Sequence, residues 1–304
     1  MLMTERKQRP DTIEGMDYAT HLLAKRLKGG AHMLNMDMIG ASGTGQRKPY
    51  EVKDSIALIQ ISGVLTNDAW WWDETEYNDI RAEIQFALDD HDVKGMVLCI
   101  CSPGGDTDNA FETADFIAKA AKVKPIWAAA APYAYSAAYL LASQAKKVYV
   151  PEITGGVGSI GVYMVHMDYS EALKKNGIAA TVISAGKGKA ERIPYKPLTD
   201  DAKARMQEEV DRLYDEFTSR VASGRNTTKS AIIKLGAFLF EGSKKALEAG
   251  LADRPGSYEK AWLDMGASVA KGQNGLSSVA AAEQTQNDEG ESMDIKEPAP
   301  PAAT

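Results

Sequence analysis

GMVLCICSPGG, residues 95–105, is an uncharged apolar run closed by Ser-Pro-Gly-Gly. Its apolar residues stand at consecutive positions, which predicts a strand covered on both faces, the kind found in sheets flanked by helices. Similar runs recur outward from it, SIALIQISGVL from Ser55 and PIWAAAA from Pro125. Helical segments lie between them, DIRAEIQFALDD from Asp79 and NAFETADFIAKAAK from Asn109. Such alternation argues for βαβ units and an α/β fold.

Further along, KKVYVP from Lys146 predicts another strand and GGVGSIGVYMVHMDY from Gly155 a glycine-rich segment. YSEALKKNG then predicts a helix, and AATVISAG from Ala179 a strand. A long helix is expected over Asp200 to Ala222, with Thr199 as N-cap and acids in the first turn. GLADRPGSYEKAWLDMG should return to the body and close it with an amphipathic helix. The organisation expected is an N-terminal arm and linker over 1–50, with a short amphipathic helix from Asp17 to Lys28. A folded domain follows over 51–270, and a Gln-, Glu-, Ser- and Pro-containing tail over 271–304 whose composition cannot bury a core.

With 35 Lys and Arg against 42 Asp and Glu, the chain carries a formal charge of −7, and its basic residues are interspersed with acids. That is no field for phosphate backbones, so nucleic acid is not an expected partner. The longest apolar run, Trp127 to Ala142, contains Pro132 and Ser136 and reads as a buried turn and helix, not a membrane span. The N-terminal residues lack the apolar core of a secretory signal. The only cysteines, Cys99 and Cys101, point to the same face of one strand, too far apart for an ordinary disulfide, and read as small buried hydrophobes.

Four segments carry candidate chemistry. Ser102-Pro103-Gly104-Gly105 ends a strand with two residues that let the backbone approach a ligand and aim amides at negative charge, although alone it is a plain Pro-Gly turn. In Tyr133-Ala134-Tyr135-Ser136-Ala137-Ala138-Tyr139 a serine among small residues opens a helix, whose N-terminus favours developing negative charge; alone it is a helix residue. Gly155-Gly156-Val157-Gly158-Ser159-Ile160-Gly161 lacks the Lys-Ser/Thr ending of a phosphate loop and is better read as a structural turn. Ser184-Ala185-Gly186-Lys187-Gly188-Lys189 offers two lysines, either of which would act as a base only if burial lowered its pKa. The four histidines, His21, His32, His91 and His166, sit in poor contexts for that role. Trp70-Trp71-Trp72 predicts a subunit contact, a substrate lip or a cap on the sheet edge.

Taken in order, these motifs, the long acid-led helix and the late EGSKKALEAGLAD resemble the signal peptide peptidase A-like serine peptidases over roughly residues 55 to 265. The resemblance implies a crotonase/Clp-like α/β fold, a repeated ββα core with flanking helices. It implies Ser136 as nucleophile and Lys189 as general base, with Lys187 as the alternative base two residues away. It further implies Ser159 as the residue that orients the base, the amides of Gly105 and Ala137 as oxyanion hole, and no metal or organic cofactor. Without an N-terminal anchor, the polar arm and tail look more like those of tailed-phage head maturation proteases of the same family. That implies scaffold, capsid or portal polypeptides as substrates, a homo-oligomer, no membrane, and a place in the host cytoplasm or prohead interior. Three other readings stay open: a soluble signal-peptide-peptidase-like protease of a bacterial cell, a crotonase-like acyl-coenzyme A enzyme, and a non-catalytic capsid-assembly module.

Overall fold

The computed structural model describes residues 48–69 and 74–271. The expected helix at 17–28, the tryptophans at 70–72 and the tail from 272 lie outside the described residues.

The three apolar runs form the centre of the sheet. Strands β1 (Glu51–Lys53), β2 (Ile56–Thr66), β3 (Glu74–Glu76), β4 (Gly95–Gly105), β5 (Ile126–Tyr135), β6 (Lys147–Val150), β7 (Gly156–Gly158), β8 (Leu239–Glu241) and β9 (Arg254–Pro255) join in one sheet. Its main path runs β1-β2-β4-β5-β6-β9, parallel except for the antiparallel β1. The crossovers from β3 to β4 and from β4 to β5 are α1 (Tyr77–Asp89) and α2 (Ala110–Ala120), and α3 (Ala137–Ala142) leads from β5 to β6. Short β3 pairs with β2, and short β7 pairs with β5 and with β8.

The consecutive apolar residues of each central strand divide between two cores, as the period of two in a pleated strand requires. Ala57, Ile59 and Ile61 of β2, Met96, Leu98 and Ile100 of β4, and Ala128 and Ala130 of β5 are buried with residues of α1, α2 and α3. Ile56, Leu58, Val97, Trp127 and Ala129 face the other way, under Ala261, Trp262 and Met265 of the closing helix α8, residues 258–271. The expected closing helix is therefore present and covers the second face. Cys99 packs half-buried against this second core, and burial pushes its thiol up to about 12, so it carries no thiolate near neutral pH.

Three expectations change. The run from Trp127 to Ala142 is not a turn and helix: β5 continues through it to Tyr135 before α3 begins, because Trp127 through Ala130 are shared between the two cores. The segment AATVISAG makes no strand; among the described residues nothing pairs with it, and Ile178, Val182 and Ile183 are exposed. The elements α6 (Lys229–Leu235), β8 and α7 (Gly242–Glu248) were not foreseen. The helix expected at YSEALKKNG is the short α4 (Ser170–Lys175), and the long helix α5 (Asp200–Gly224) begins as expected, with the Thr199 side chain accepting the Ala202 N–H. No helix among the described residues is long and apolar enough to cross a membrane.

Candidate active site

At the carboxyl end of the sheet the ladders break. Pairing between β2 and β4 shifts register between Ser62 and Val64, and pairing between β4 and β5 shifts between Ile100 and Ser102. These irregularities bend the strand ends apart and open a cleft of about 570 Å³ across Pro103–Thr107, Ser136–Ala137 and Ser159–Tyr163. Its apolar lining comes from Val64, Ala110, Phe111, Leu140, Val162 and Phe217.

Ser136 stands on the junction between β5 and α3 with φ 51° and ψ −126°, a conformation rarely adopted by a residue with a Cβ and costing about 1–3 kcal/mol. Three contacts hold it there. The Ser136 N–H donates to Gly158 O at 2.9 Å, its carbonyl accepts the Leu140 N–H at 3.0 Å, and α3 is anchored behind it by the Tyr139 hydroxyl donating to Leu251 O at 2.8 Å. Tyr139 is buried, and burial raises its pKa, so its hydroxyl stays a donor. A serine on such a strained strand-to-helix elbow presents its Oγ to the cleft and not to the helix that follows. The serine makes no side-chain cap for α3.

Ser-Pro-Gly-Gly lies directly against this elbow. Gly104 has φ 98°, and a Cβ there would stand 2.7 Å from Ser136 Cβ and 2.9 Å from Ala137 N. A Cβ at Gly105 would meet Leu65 O at 1.8 Å. Only two residues without side chains let β4 pass between β2 and the elbow. The next residue is fixed as well: the Asp106 N–H donates to Leu65 O at 2.8 Å, and its carbonyl accepts the Tyr77 hydroxyl at 2.6 Å.

Ser159 lines the same cleft, with φ 54° and its N–H donating to Phe238 O at 2.9 Å. The glycines before it place β7 between β5 and β8, where a Cβ at Gly158 would lie 2.5 Å from Phe238 O. The glycine-rich segment is thus a close-packed strand and not the turn expected, because Gly156–Gly158 pairs with β5 on one side and β8 on the other. The far wall is held by Arg220, which forks onto Asp115 at 2.9 and 3.0 Å and lies over the Phe111 ring at 5.1 Å.

Of the residues singled out by sequence, Ser136, Gly105, Ala137 and Ser159 meet at this cleft. Lys189 and Lys187 do not line it. Both are exposed, on a turn in which the Lys189 N–H donates to Gly186 O at 3.2 Å, and Lys189 borders a shallow depression with Gly188, Glu191, Arg192 and Ile193. The turn is tied to α5 by Glu191, which accepts from Arg205 at 2.5 and 3.2 Å, and by Arg192, which donates to Glu209 at 2.9 Å. The hydrogen bond from Arg205 holds the Glu191 carboxyl below the usual carboxylate range. The expected desolvation of Lys189 beside Ser136 is therefore not met within one chain, because the segment from 163 to 199 runs exposed instead of folding back over the cleft. His166 lies on that same segment, outside the cleft. Among the described residues no group of three or more His, Cys, Asp or Glu is placed to hold a metal ion. Sequence reasoning missed Phe111, Leu140 and Phe217 as cleft residues. They look like ordinary helix positions until three distant helices converge.

Comparison with known proteins finds relatives among phage and bacterial proteins. Capsid assembly protease C of Escherichia phage lambda is 35% identical over 215 residues, 69% of this chain and 48% of that protein. Head-tail preconnector protein GP5 of Enterobacteria phage P21 is 34% identical over 217 residues, 70% of this chain and 43% of that protein. Protease 4 of Haemophilus influenzae is 25% identical over 79% of this chain and 39% of its own length. The alignments thus span about half or less of these relatives. Among solved structures, the ClpP protease catalytic domain from Plasmodium falciparum matches with a TM-score of 0.41 at 13% identity, covering 66% of this chain and 84% of that one. The family model for peptidase family S49 matches residues 118–271, which include both Ser136 and Lys189, and the chain belongs to that family.

Proposed function

We propose that this chain is a serine endopeptidase working through Ser136 and Lys189, and that it processes proteins of an assembling phage head. The observation that carries the reading is the strained Ser136 elbow, held in an open cleft between Ser-Pro-Gly-Gly and the N-terminus of α3. In the first step Ser136 Oγ attacks a peptide carbonyl while its proton passes to the neutral amine of Lys189. The oxyanion is held by the N–H groups of Gly105 and Ala137. Lys189 then gives the proton to the leaving amine, and an acyl-enzyme remains. A water, deprotonated by the same lysine, attacks the ester carbonyl, and as the C–Oγ bond breaks the lysine passes that proton to Ser136 Oγ. Ser159, at the cleft, would hydrogen-bond the lysine amine.

Because Lys189 is exposed and outside the cleft of its own chain, the dyad is completed in a homo-oligomer. There the 163–199 segment of one copy would reach the cleft of another and enclose the lysine beside Ser136. The exposed apolar residues of that segment, among them Tyr163, Val165, Met167 and Ile183, fit a surface that is covered on assembly. The phage relatives are the support for capsid, scaffold or portal polypeptides as substrates, and the apolar lining of the cleft favours an apolar side chain next to the scissile bond.

The test is cleavage of casein and of co-expressed capsid and scaffold proteins by wild type, Ser136→Ala and Lys189→Ala. Loss in both variants is expected. Activity persisting in Ser136→Ala would overturn the reading, and loss in Lys187→Ala with retention in Lys189→Ala would move the base by two residues. Turnover of acyl-coenzyme A without proteolysis would favour the crotonase-like alternative.

A further inference from the structure

Ser102 immediately precedes the cleft residue Pro103 and is a serine that the proposed dyad does not use. Its side chain is fully buried, and its Oγ accepts the Gly104 N–H at 3.1 Å. Buried hydroxyls on a strand are commonly fillers, but this one takes a particular hydrogen. The Asp106 N–H points to β2, where it meets Leu65 O. Successive N–H groups of an extended chain point to opposite sides, so the Gly105 N–H points to the β5 side, where Ser136 and Ala137 stand. The Gly104 N–H, at the height where the ladder between β2 and β4 shifts register between Ser62 and Val64, finds its acceptor in Ser102 Oγ. Gly104 is buried, and a buried N–H without an acceptor is costly enough to turn its peptide in search of one. Gly104 is also a residue whose backbone turns freely.

We propose that Ser102 is a positioning residue for the oxyanion hole: its hydroxyl satisfies the Gly104 N–H within the strand, and so fixes the following peptide with the Gly105 N–H facing the reacting carbonyl. The inference rests on the reading of Ser136 as nucleophile and Gly105 as oxyanion donor. It predicts a defect confined to the transition state, since Ser102 touches neither substrate nor Ser136 Oγ.

The experiment compares full-length wild type, Ser102→Ala, Ser102→Cys and Ser136→Ala on one peptide substrate. Three readouts are added: affinity for a peptide boronate that forms a tetrahedral adduct, affinity for the unreactive product peptide, and the rate of fluorophosphonate labelling followed by intact mass. Ser102→Ala should lower kcat about 10- to 100-fold with KM within about twofold. Boronate affinity and labelling rate should fall in parallel, with product affinity unchanged. Ser102→Cys, whose sulfur is a weak acceptor, should fall between the two. Retention of kcat and labelling within about twofold in Ser102→Ala, with Ser136→Ala inert, overturns this proposal alone. An equal loss of product and boronate affinity overturns it too, since it marks a cleft that has lost its shape. Absence of labelling in wild type, or labelling surviving in Ser136→Ala, overturns the nucleophile assignment beneath it. Should Ser102→Ala fail to fold, Ser102→Cys carries the same comparison, with a kcat equal to wild type counting against the proposal.

Discussion

The strands between residues 56 and 158 and the segment from 163 to 199 both contain apolar residues at close spacing, yet they end in opposite environments. Ile59, Leu98 and Ala128 are fully enclosed by helices of their own chain, whereas Tyr163, Ile178 and Ile183 are exposed. The glycines differ in the same way. A Cβ at Gly105 would strike Leu65 O, while nothing lies within 4 Å of a Cβ at Gly177 or Gly186. One region is finished by intramolecular packing and holds Ser136, the proposed nucleophile, in a strained conformation because the surroundings over-determine it. The other is tied to α5 at its base, where Glu191 pairs with Arg205 and Arg192 with Glu209, and it carries the lysines. The lesson is that this chain builds half of its proposed dyad alone and presents the other half outward.

That division can be broken experimentally, and the largest effect is expected at the elbow. Ser136→Ala should reduce peptidase activity by about 10⁴-fold or more while leaving the melting temperature unchanged or raised, since the strain is carried by a φ that alanine tolerates no worse. Kinetics and calorimetry on one preparation check both halves. Mixing inactive Ser136→Ala with inactive Lys189→Ala under conditions that allow exchange should restore about one quarter of wild-type sites, because a random contact pairs an intact serine with an intact lysine that often. Pairing within one chain would restore none.

Smaller effects follow the packing. Gly105→Ala should cost about 3 kcal/mol or more of stability, through the forced contact with Leu65 O. Gly177→Ala should cost about 1 kcal/mol, the penalty of its left-handed backbone alone. Urea unfolding of the two variants measures the contrast, and equal losses would mean that the exposed segment packs as tightly as the body.

The smallest effect is a pH dependence. The Asp264 carboxyl on α8 is held below the usual range by its hydrogen bond from Lys260, and then by the one from the Tyr149 hydroxyl. A carboxyl whose folded pKa lies below its unfolded value of about 3.9 stabilises fully above that value and loses the contribution as pH falls through the folded one. Asp264→Asn should therefore lower the urea midpoint slightly at neutral pH and flatten its fall below about pH 4. Glu191→Gln should leave the unfolding midpoint in place, because Glu191 ties down a segment that covers no core.

Much of this was legible before any coordinates. Consecutive apolar residues at 56–59, 96–100 and 126–130 announced strands covered on both faces, since only cover on both faces hides every side chain of a pleated strand. Thr199 announced the start of α5 through an interaction only three residues long. Short-range signals of this kind survive in any tertiary context. AATVISAG carried the same propensity for a strand and made none, because a strand also needs a partner edge, and no local pattern reports whether one is within reach. The short β8 and α7 were missed for the complementary reason: Leu239–Glu241 is a strand only because Gly156–Gly158 lies alongside it.

Residue type and order are enough for the α/β class, the family resemblance, the choice of Ser136 as candidate nucleophile and the residues from Ser-Pro-Gly-Gly and Gly-Ser-Ile-Gly that would surround it. Tertiary structure alone decided that Ser136 is strained, that Phe111, Leu140 and Phe217 wall its cleft, and that Lys189 stands outside it. Each of those is a matter of which distant segments meet. The free energy that settles such meetings comes from burial and from backbone partners far along the chain, which a reading of neighbouring residues does not contain.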